Sequence, residues 1–144
     1  MCGAHAAVRH LLGGMMRTEH PVTIVDMEAG LEHLSRGTGR HVDTLLVVLE
    51  PYYKALEIGR RAADLGKELG VARVMAVANK LRDAEDTAAV REYARANDLP
   101  LAGEIPLDDE LRKGDLAGRA PIDLHGSPAV AAISKLATVI CTDN

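Results

Sequence analysis

Several residues that can bind a metal and a phosphate follow a short apolar run near the start of the chain. In VTIVDMEAGLEH, residues 22–33, the run ends on Asp26, and the next residues include Glu28, Gly30, Glu32 and His33. An aspartate that closes a buried strand, with a glycine four residues later, suits Mg²⁺ beside a phosphate. The carboxylate holds a metal-bound water, and the glycine amide approaches a phosphate oxygen. The same two letters also suit a helix N-cap or an Asp-Gly loop.

A second polar step follows a later apolar run. Asn79 and Lys80 come directly after RVMAVA. The step resembles the base-reading Asn-Lys pair of P-loop GTPases and ATPases, in which the amide hydrogen-bonds a purine edge and the lysine stem packs on the ring. An asparagine at the end of a strand is also a common turn residue. The pair therefore has two interpretations.

The elements that must position these residues alternate between strands and helices. Short apolar runs predict buried strands, and a 3.6-residue apolar spacing predicts helices between them. The predicted strands are 22–26, 44–50, 73–79 and 101–106, and the predicted helices are 5–12, 53–69, 86–97 and 127–140. Such alternation indicates an α/β fold with a mainly parallel sheet of about four strands and helices on both faces.

Ligands of such a sheet bind beyond the carboxyl ends of its strands. The residues there are Asp26 to Gly30, Glu50 to Tyr52, Asn79 with Lys80, and Pro106 to Asp108. We expect all four ends to face one crevice.

Composition excludes several classes of function. The 144 residues suit one domain, and a formal charge of −4 without a Lys/Arg block argues against nucleic acid. No apolar run approaches a membrane span, and the N-terminal stretch MCGAHAAVRHLLGG, with charge and His inside it, is unlike a signal peptide, so we expect a cytoplasmic protein. With 47% hydrophobic residues but no Phe or Trp, the core must be aliphatic. Cys2 and Cys141 are interpreted as free thiols.

The block around Asp26 resembles the CooC-type ATPases that help to insert nickel into carbon monoxide dehydrogenase, which are relatives of MinD and of the nitrogenase iron protein. Their D-M-E-A-G-x-E-H-x-x-R-G signature is matched here by Asp26, Met27, Glu28, Ala29, Gly30, Glu32, His33, Arg36 and Gly37. The resemblance extends through most of the chain. Ser35 stands where the family has Gly, and Tyr52 where Ser is common.

The resemblance implies a fold, a reaction and a set of roles. It implies a partial P-loop fold of the SIMIBI type, an ATP- and Mg²⁺-dependent homodimer, and a carbon monoxide dehydrogenase-like nickel enzyme as partner. Asp26 takes the Walker B role and Gly30 lies by the γ-phosphate. The adenine is bordered by Asn79, Lys80, Pro106 and Asp108. A nucleotide-sensing switch is formed by Glu28, Glu32, His33 and Arg36.

The phosphate cradle of this family is missing from the sequence. A P-loop needs G-x-x-x-x-G-K-[ST], and neither Gly13-Gly14, Gly37-Thr38-Gly39 nor Gly66-Lys67 continues in that way. In the family the P-loop lies upstream, on a central strand next to the Walker B strand. We therefore expect residues 1–144 to be a single domain, the C-terminal portion of a longer ATPase domain, and unable to bind or hydrolyse ATP alone.

Metal binding at the N-terminus and a different class of function are the remaining possibilities. The family has a C-x-C pair before an Ala-His helix, and here only Cys2 stands before His5, with Met1 in the middle position. Cys2 is either a terminal thiol without a role or a ligand of Ni²⁺ or Zn²⁺.

The other histidines are interpreted as surface residues; they are His10, His20, His41 and His125. The alternative function is a non-catalytic α/β interaction module of the receiver type.

Overall fold

A computed structural model describes residues 22–27 and 42–142 of the chain. Strands and helices alternate along the second range, as the apolar pattern predicts. The strands are β1 (Thr44–Leu49), β2 (Arg73–Leu81) and β3 (Leu101–Pro106), and the helices are α1 (Tyr53–Glu68), α2 (Ala84–Ala96), α3 (Asp109–Leu116) and α4 (Pro128–Thr142), with a 3-10 turn at Pro121–Asp123.

The three strands form a parallel sheet in the order β1-β2-β3. In β1 and β2, Leu45 lies beside Val74 and Leu49 beside Ala78, without a break in register. One face of this sheet packs against α1 and α2. The aliphatic core lies between them and consists of Val47, Leu49, Leu56, Ala63, Val71, Val74, Ala76, Ala78, Leu81, Val90 and Leu99.

Helix α1 approaches β1 closely because glycines face the strand. A Cβ added at Gly59 would overlap the Cδ2 atom of Leu49, a side chain with no exposed surface. A Cβ at Gly66 would lie 2.5 Å from Leu45 Cδ2. The helix ends before Gly70, whose φ of +80° lets the Gly70 and Val71 amides return to carbonyls of the last turn.

The other face of the sheet is covered over β3 by α4. Leu101 pairs with Ala76 and Gly103 with Val77, so Ala102 is an extra residue in β3. This bulge turns Gly103 toward α4, where a Cβ would lie 3.2 Å from a Leu136 methyl group. Over β1 the same face is open among the described residues, and Val48 is 60% exposed.

The predicted α/β class with a parallel sheet is confirmed, but one predicted strand is not found. The runs at 44–50, 73–79 and 101–106 form strands within two residues of the predicted ends. Residues 22–27 have no strand structure, and Ile24 is 89% exposed. A strand needs a neighbour to pair with, and within the described residues this run has none. The described sheet therefore has three strands and not four.

Three of the described helices lie where the sequence predicts them, and the fourth was not predicted. Helices α1, α2 and α4 lie where the spacing predicts them, whereas α3 was not predicted. Its eight residues lack a regular apolar stripe, and only Gly114 is buried. The predicted helix at 5–12 lies outside the described residues. None of the helices in the described ranges is long and apolar enough to cross a membrane.

Candidate functional site at the carboxyl edge of the sheet

The carboxyl ends of the three strands lie side by side, as expected for a parallel sheet. The Leu107 amide donates to the Leu81 carbonyl at 2.8 Å, which brings the end of β3 to the end of β2. The Lys80 ammonium reaches across to Glu50, which follows β1. The predicted nucleotide-edge residues Asn79, Lys80 and Pro106 therefore share one edge of the fold.

Asn79 offers an unused carboxamide at this edge. The residue is partly buried, and its side chain has no hydrogen-bond partner in the described part of the chain. Since Ala78 belongs to the core between the sheet and α1 and α2, the strand alternation directs Asn79 to the opposite face. A carboxamide both donates and accepts, so this group can pair with the edge of a nucleobase.

Lys80 does not present a free charge. Its Nζ lies 2.6 Å from Glu50 Oε1, although the two side chains are 55% and 35% exposed. The hydrogen bond and the attraction of the Glu50 carboxylate raise the pKa of Lys80. The backbone of Lys80 is left-handed, with a φ of +57°, which is uncommon for a residue with a side chain. The Lys80 side chain is therefore already engaged in an ion pair with Glu50.

The carboxylate of Asp108 is fully used in holding two helices. Its Oδ1 accepts from the Glu110 amide at 2.8 Å and so caps α3. Its Oδ2 accepts from the Ser127 hydroxyl at 2.5 Å and from the Ala129 amide at 3.2 Å, at the start of α4. These bonds lower the pKa of Asp108, with the Ser127 hydroxyl contributing most. Asp108 positions the loop that follows β3 and has little capacity left for a ligand.

A charged cluster next to Lys80 was not singled out from the sequence. Arg82 binds Asp86 with two nitrogens, Nε at 2.8 Å and Nη2 at 2.9 Å, and its guanidinium lies 5.8 Å from the centre of the Tyr52 ring. The hydrogen bonds from Arg82 lower the pKa of Asp86 to about 2. The Asp83 carboxylate caps α2 through the Asp86 amide. The signal in the sequence was the Arg-Asp-x-x-Asp spacing, a cap followed by an i,i+4 ion pair.

The remaining predicted site residues are exposed or lie outside the described ranges. Asp26 is exposed and is not in a strand, so its Walker B role stays a prediction. The residues outside the described ranges are Cys2, Glu28, Gly30, Glu32, His33 and Arg36. His125 is exposed, as predicted.

The described residues fit part of an ATP and Mg²⁺ site. Asn79 and the end of β3 suit a base, but the sequence has no motif whose amides and lysine would hold the phosphates. Within 22–27 and 42–142, no three His, Cys, Asp or Glu side chains are grouped in a way that could hold a metal. The base half of the site fits, and the phosphate half does not.

Sequence comparison finds this chain similar to a carbon monoxide dehydrogenase accessory protein and to proteins described as ATP-binding. It is 36% identical over 129 residues to the carbon monoxide dehydrogenase accessory protein CooC of Rhodospirillum rubrum, an alignment that covers 90% of this chain and 48% of that protein. It is 34% identical over 137 residues to an uncharacterized ATP-binding protein of Methanocaldococcus jannaschii, covering 94% and 52% respectively. The chain thus spans about half the length of these curated relatives. No protein-family model matches it.

Comparison with solved structures shows the fold of MinD proteins. The cell division ATPase MinD of Pyrococcus furiosus superposes with a TM-score of 0.77 at 21% identity, over 94% of this chain and 57% of that one. The MinD protein of Pyrococcus horikoshii, solved with Mg-ADP, superposes with a TM-score of 0.75 at 21% identity, over 92% and 55%. The described part of the chain therefore has the fold of about half of a MinD chain.

Proposed function

We propose, from the premise that this chain is a relative of CooC with a MinD-like fold, that it carries the base-recognition and switch portion of an accessory ATPase. In this proposal residues 1–144 are the C-terminal portion of such an ATPase domain. The complete ATPase helps to insert nickel into a carbon monoxide dehydrogenase-like enzyme in the cytoplasm. The complete ATPase acts as a homodimer.

The observation that carries the proposal is the Asn79 carboxamide at the carboxyl edge of the sheet, which has no hydrogen-bond partner among the described residues. Lys80 and Pro106 lie at the same edge, so a purine placed there meets a hydrogen-bonding group and an apolar ring. Asp108 acts on this site from a distance, because its carboxylate fixes the loop after Pro106. The similarity to ATP-binding proteins favours this function over a receiver-type interaction module.

The metal and switch roles in the proposal rest on the resemblance. Asp26 binds Mg²⁺ through water, and Gly30 lies against the γ-phosphate. The switch that senses the nucleotide is formed by Glu28, Glu32, His33 and Arg36. Cys2 contributes a thiolate to Ni²⁺ or Zn²⁺ shared between subunits.

The 144-residue chain by itself neither binds ATP tightly nor hydrolyses it. Backbone amides and a lysine supply most of the phosphate affinity in P-loop proteins, and this sequence lacks that motif. Isothermal titration of the purified chain with Mg-ATP should give no saturable binding in the micromolar range. Tight, Mg²⁺-dependent binding would overturn this part of the proposal.

Base recognition is tested separately with adenosine, which has no phosphate. Millimolar adenosine should shift the side-chain amide resonance of Asn79 in a ¹⁵N-labelled sample. The side-chain amide of Asn97 is the internal control, because it already donates to the Tyr93 carbonyl at 2.8 Å. Ribose 5-phosphate should shift neither signal. An Asn79 signal that does not respond to adenosine, or that moves together with Asn97, would refute the base site.

A further inference from the structure

Strand β2 has an irregular end at the candidate base site. Its pairing with β3 breaks between Ala78 and Leu81, and the two residues inside the break are Asn79 and Lys80, of which Lys80 has a φ of +57°. The break changes the side-chain alternation: Leu81 turns back into the core at 7% exposure, although it stands two residues after Asn79. Irregular strand ends of this kind redirect side chains and are frequent next to functional sites.

A left-handed residue with a side chain persists only when its surroundings hold it there. The hydrogen bond that the structure gives the Lys80 side chain goes from its Nζ to Glu50 Oε1, at 2.6 Å, and spans 30 positions of sequence. A second link joins the same two turns, since Arg82 lies over the ring of Tyr52 and is itself tied to Asp86. The turn after β1 thus holds the end of β2 on both sides of Leu81.

We propose that Glu50 is a positioning residue for base recognition: its carboxylate holds Lys80 in the left-handed conformation and so fixes the direction in which the neighbouring Asn79 carboxamide leaves the sheet. This inference rests on the proposed function for its purpose, but not for its geometry. Because Glu50 neutralises Lys80, the edge presents an uncharged hydrogen-bonding group. It therefore suits the uncharged edge of a nucleobase better than a phosphate.

The test uses the ligand-free chain. Its result therefore does not depend on whether the chain binds a base. The one-bond Cα–Hα coupling of residue 80 reports the sign of φ, and the Asn79 side-chain amide reports the direction of that group. Glu50→Gln should shift both. The matched control is Glu104→Gln, because Glu104 is a carboxylate of similar exposure, 30%, paired with Arg91 at 2.5 Å. It should shift neither.

Two variants at Lys80 separate positioning from a general loss of stability. Lys80→Met removes the ion pair from the other end and should reproduce the Glu50→Gln spectrum. Glycine adopts the left-handed conformation without strain. Adding Lys80→Gly to Glu50→Gln should therefore return the Asn79 amide signal to its wild-type position, which a merely destabilising effect would not do.

The outcomes are distinct. Shifts at residues 79 and 80 with Glu50→Gln and Lys80→Met, absent with Glu104→Gln and reversed by Lys80→Gly, support the inference. If Glu50→Gln leaves both signals at their wild-type values, the ion pair does not hold the strand end, and the inference is wrong. The same holds if the glycine fails to restore the Asn79 signal.

Discussion

The close approach of α1 to β1 predicts that Gly59→Ala destabilises the protein. Alanine in place of glycine inside a helix normally stabilises by about 1 kcal/mol. Here the added methyl group would overlap Leu49, a side chain that has no exposed surface and cannot turn into solvent. Overpacking a dense core costs about 1–3 kcal/mol, and we take the upper end for a fully buried neighbour. The net expectation is a loss of about 2 kcal/mol.

Gly66→Ala is the matched control on the same helix. Its methyl group would meet the Cδ2 atom of Leu45, but Leu45 is only partly buried and that methyl can rotate away. We take the lower end of the overpacking cost, about 1 kcal/mol, which the gain in helix propensity offsets. The stability of Gly66→Ala should therefore stay close to that of the wild type.

Urea unfolding followed by circular dichroism at 222 nm measures both changes. For a chain of this size, a loss of about 2 kcal/mol corresponds to about 4–8 °C in Tm. Leu49→Val removes the overlapping methyl group, so Gly59→Ala combined with Leu49→Val should cost less than the sum of the two single changes, by about 1–2 kcal/mol. A Gly59→Ala protein as stable as the wild type would refute the argument, and so would strict additivity with Leu49→Val.

Two further predictions concern the carboxylates beside the site. Asp108→Ala should lower the Tm more than Asp109→Ala. Asp108 accepts hydrogen bonds at the starts of both α3 and α4, whereas the side-chain contact of Asp109 within the described residues is an exposed ion pair at 4.0 Å. Thermal melts that rank the two variants in the opposite order would contradict this. The pKa of Asp86 is lowered from 3.8 to about 2, so its stabilising contribution is complete above pH 3.8 and is lost as the pH falls toward 2. The Asp86→Asn protein should therefore lose less stability than the wild type across that window in urea titrations, and an equal loss would contradict the assignment.

The sequence predicts the three strands well because each of them has a pairing partner within the chain. TLLVVL, RVMAVAN and LAGEIP are β-branched or aliphatic runs bounded by turn residues, and all three form strands. VTIVD has the same pattern but no neighbour among the described residues. Periodicity detects the tendency of a segment to be extended; it does not detect whether another strand lies beside it.

The sequence predicts where the residues at the strand ends lie better than it predicts which other residues they contact. The strand-end rule places Asn79, Lys80 and Pro106 at one edge, and the structure has them there. The rule gives no information on which side chains are already occupied. Contacts between residues far apart in the sequence occupy these side chains. Lys80 pairs with Glu50, 30 residues away, and Asp108 pairs with Ser127, 19 residues away. Local spacing contains no signal for such pairs.

The open side of β1 bears on how the protein behaves at high concentration. TLLVVL contains no charge, proline or bulge, and in the described part of the chain its outer side is unpaired, with Val48 exposed. Native edge strands usually carry such interruptions, because an uninterrupted apolar edge recruits strands from other molecules. Among the described residues β1 is therefore the strand at which we expect other molecules to associate, and Val48→Lys should reduce aggregation there without touching the core.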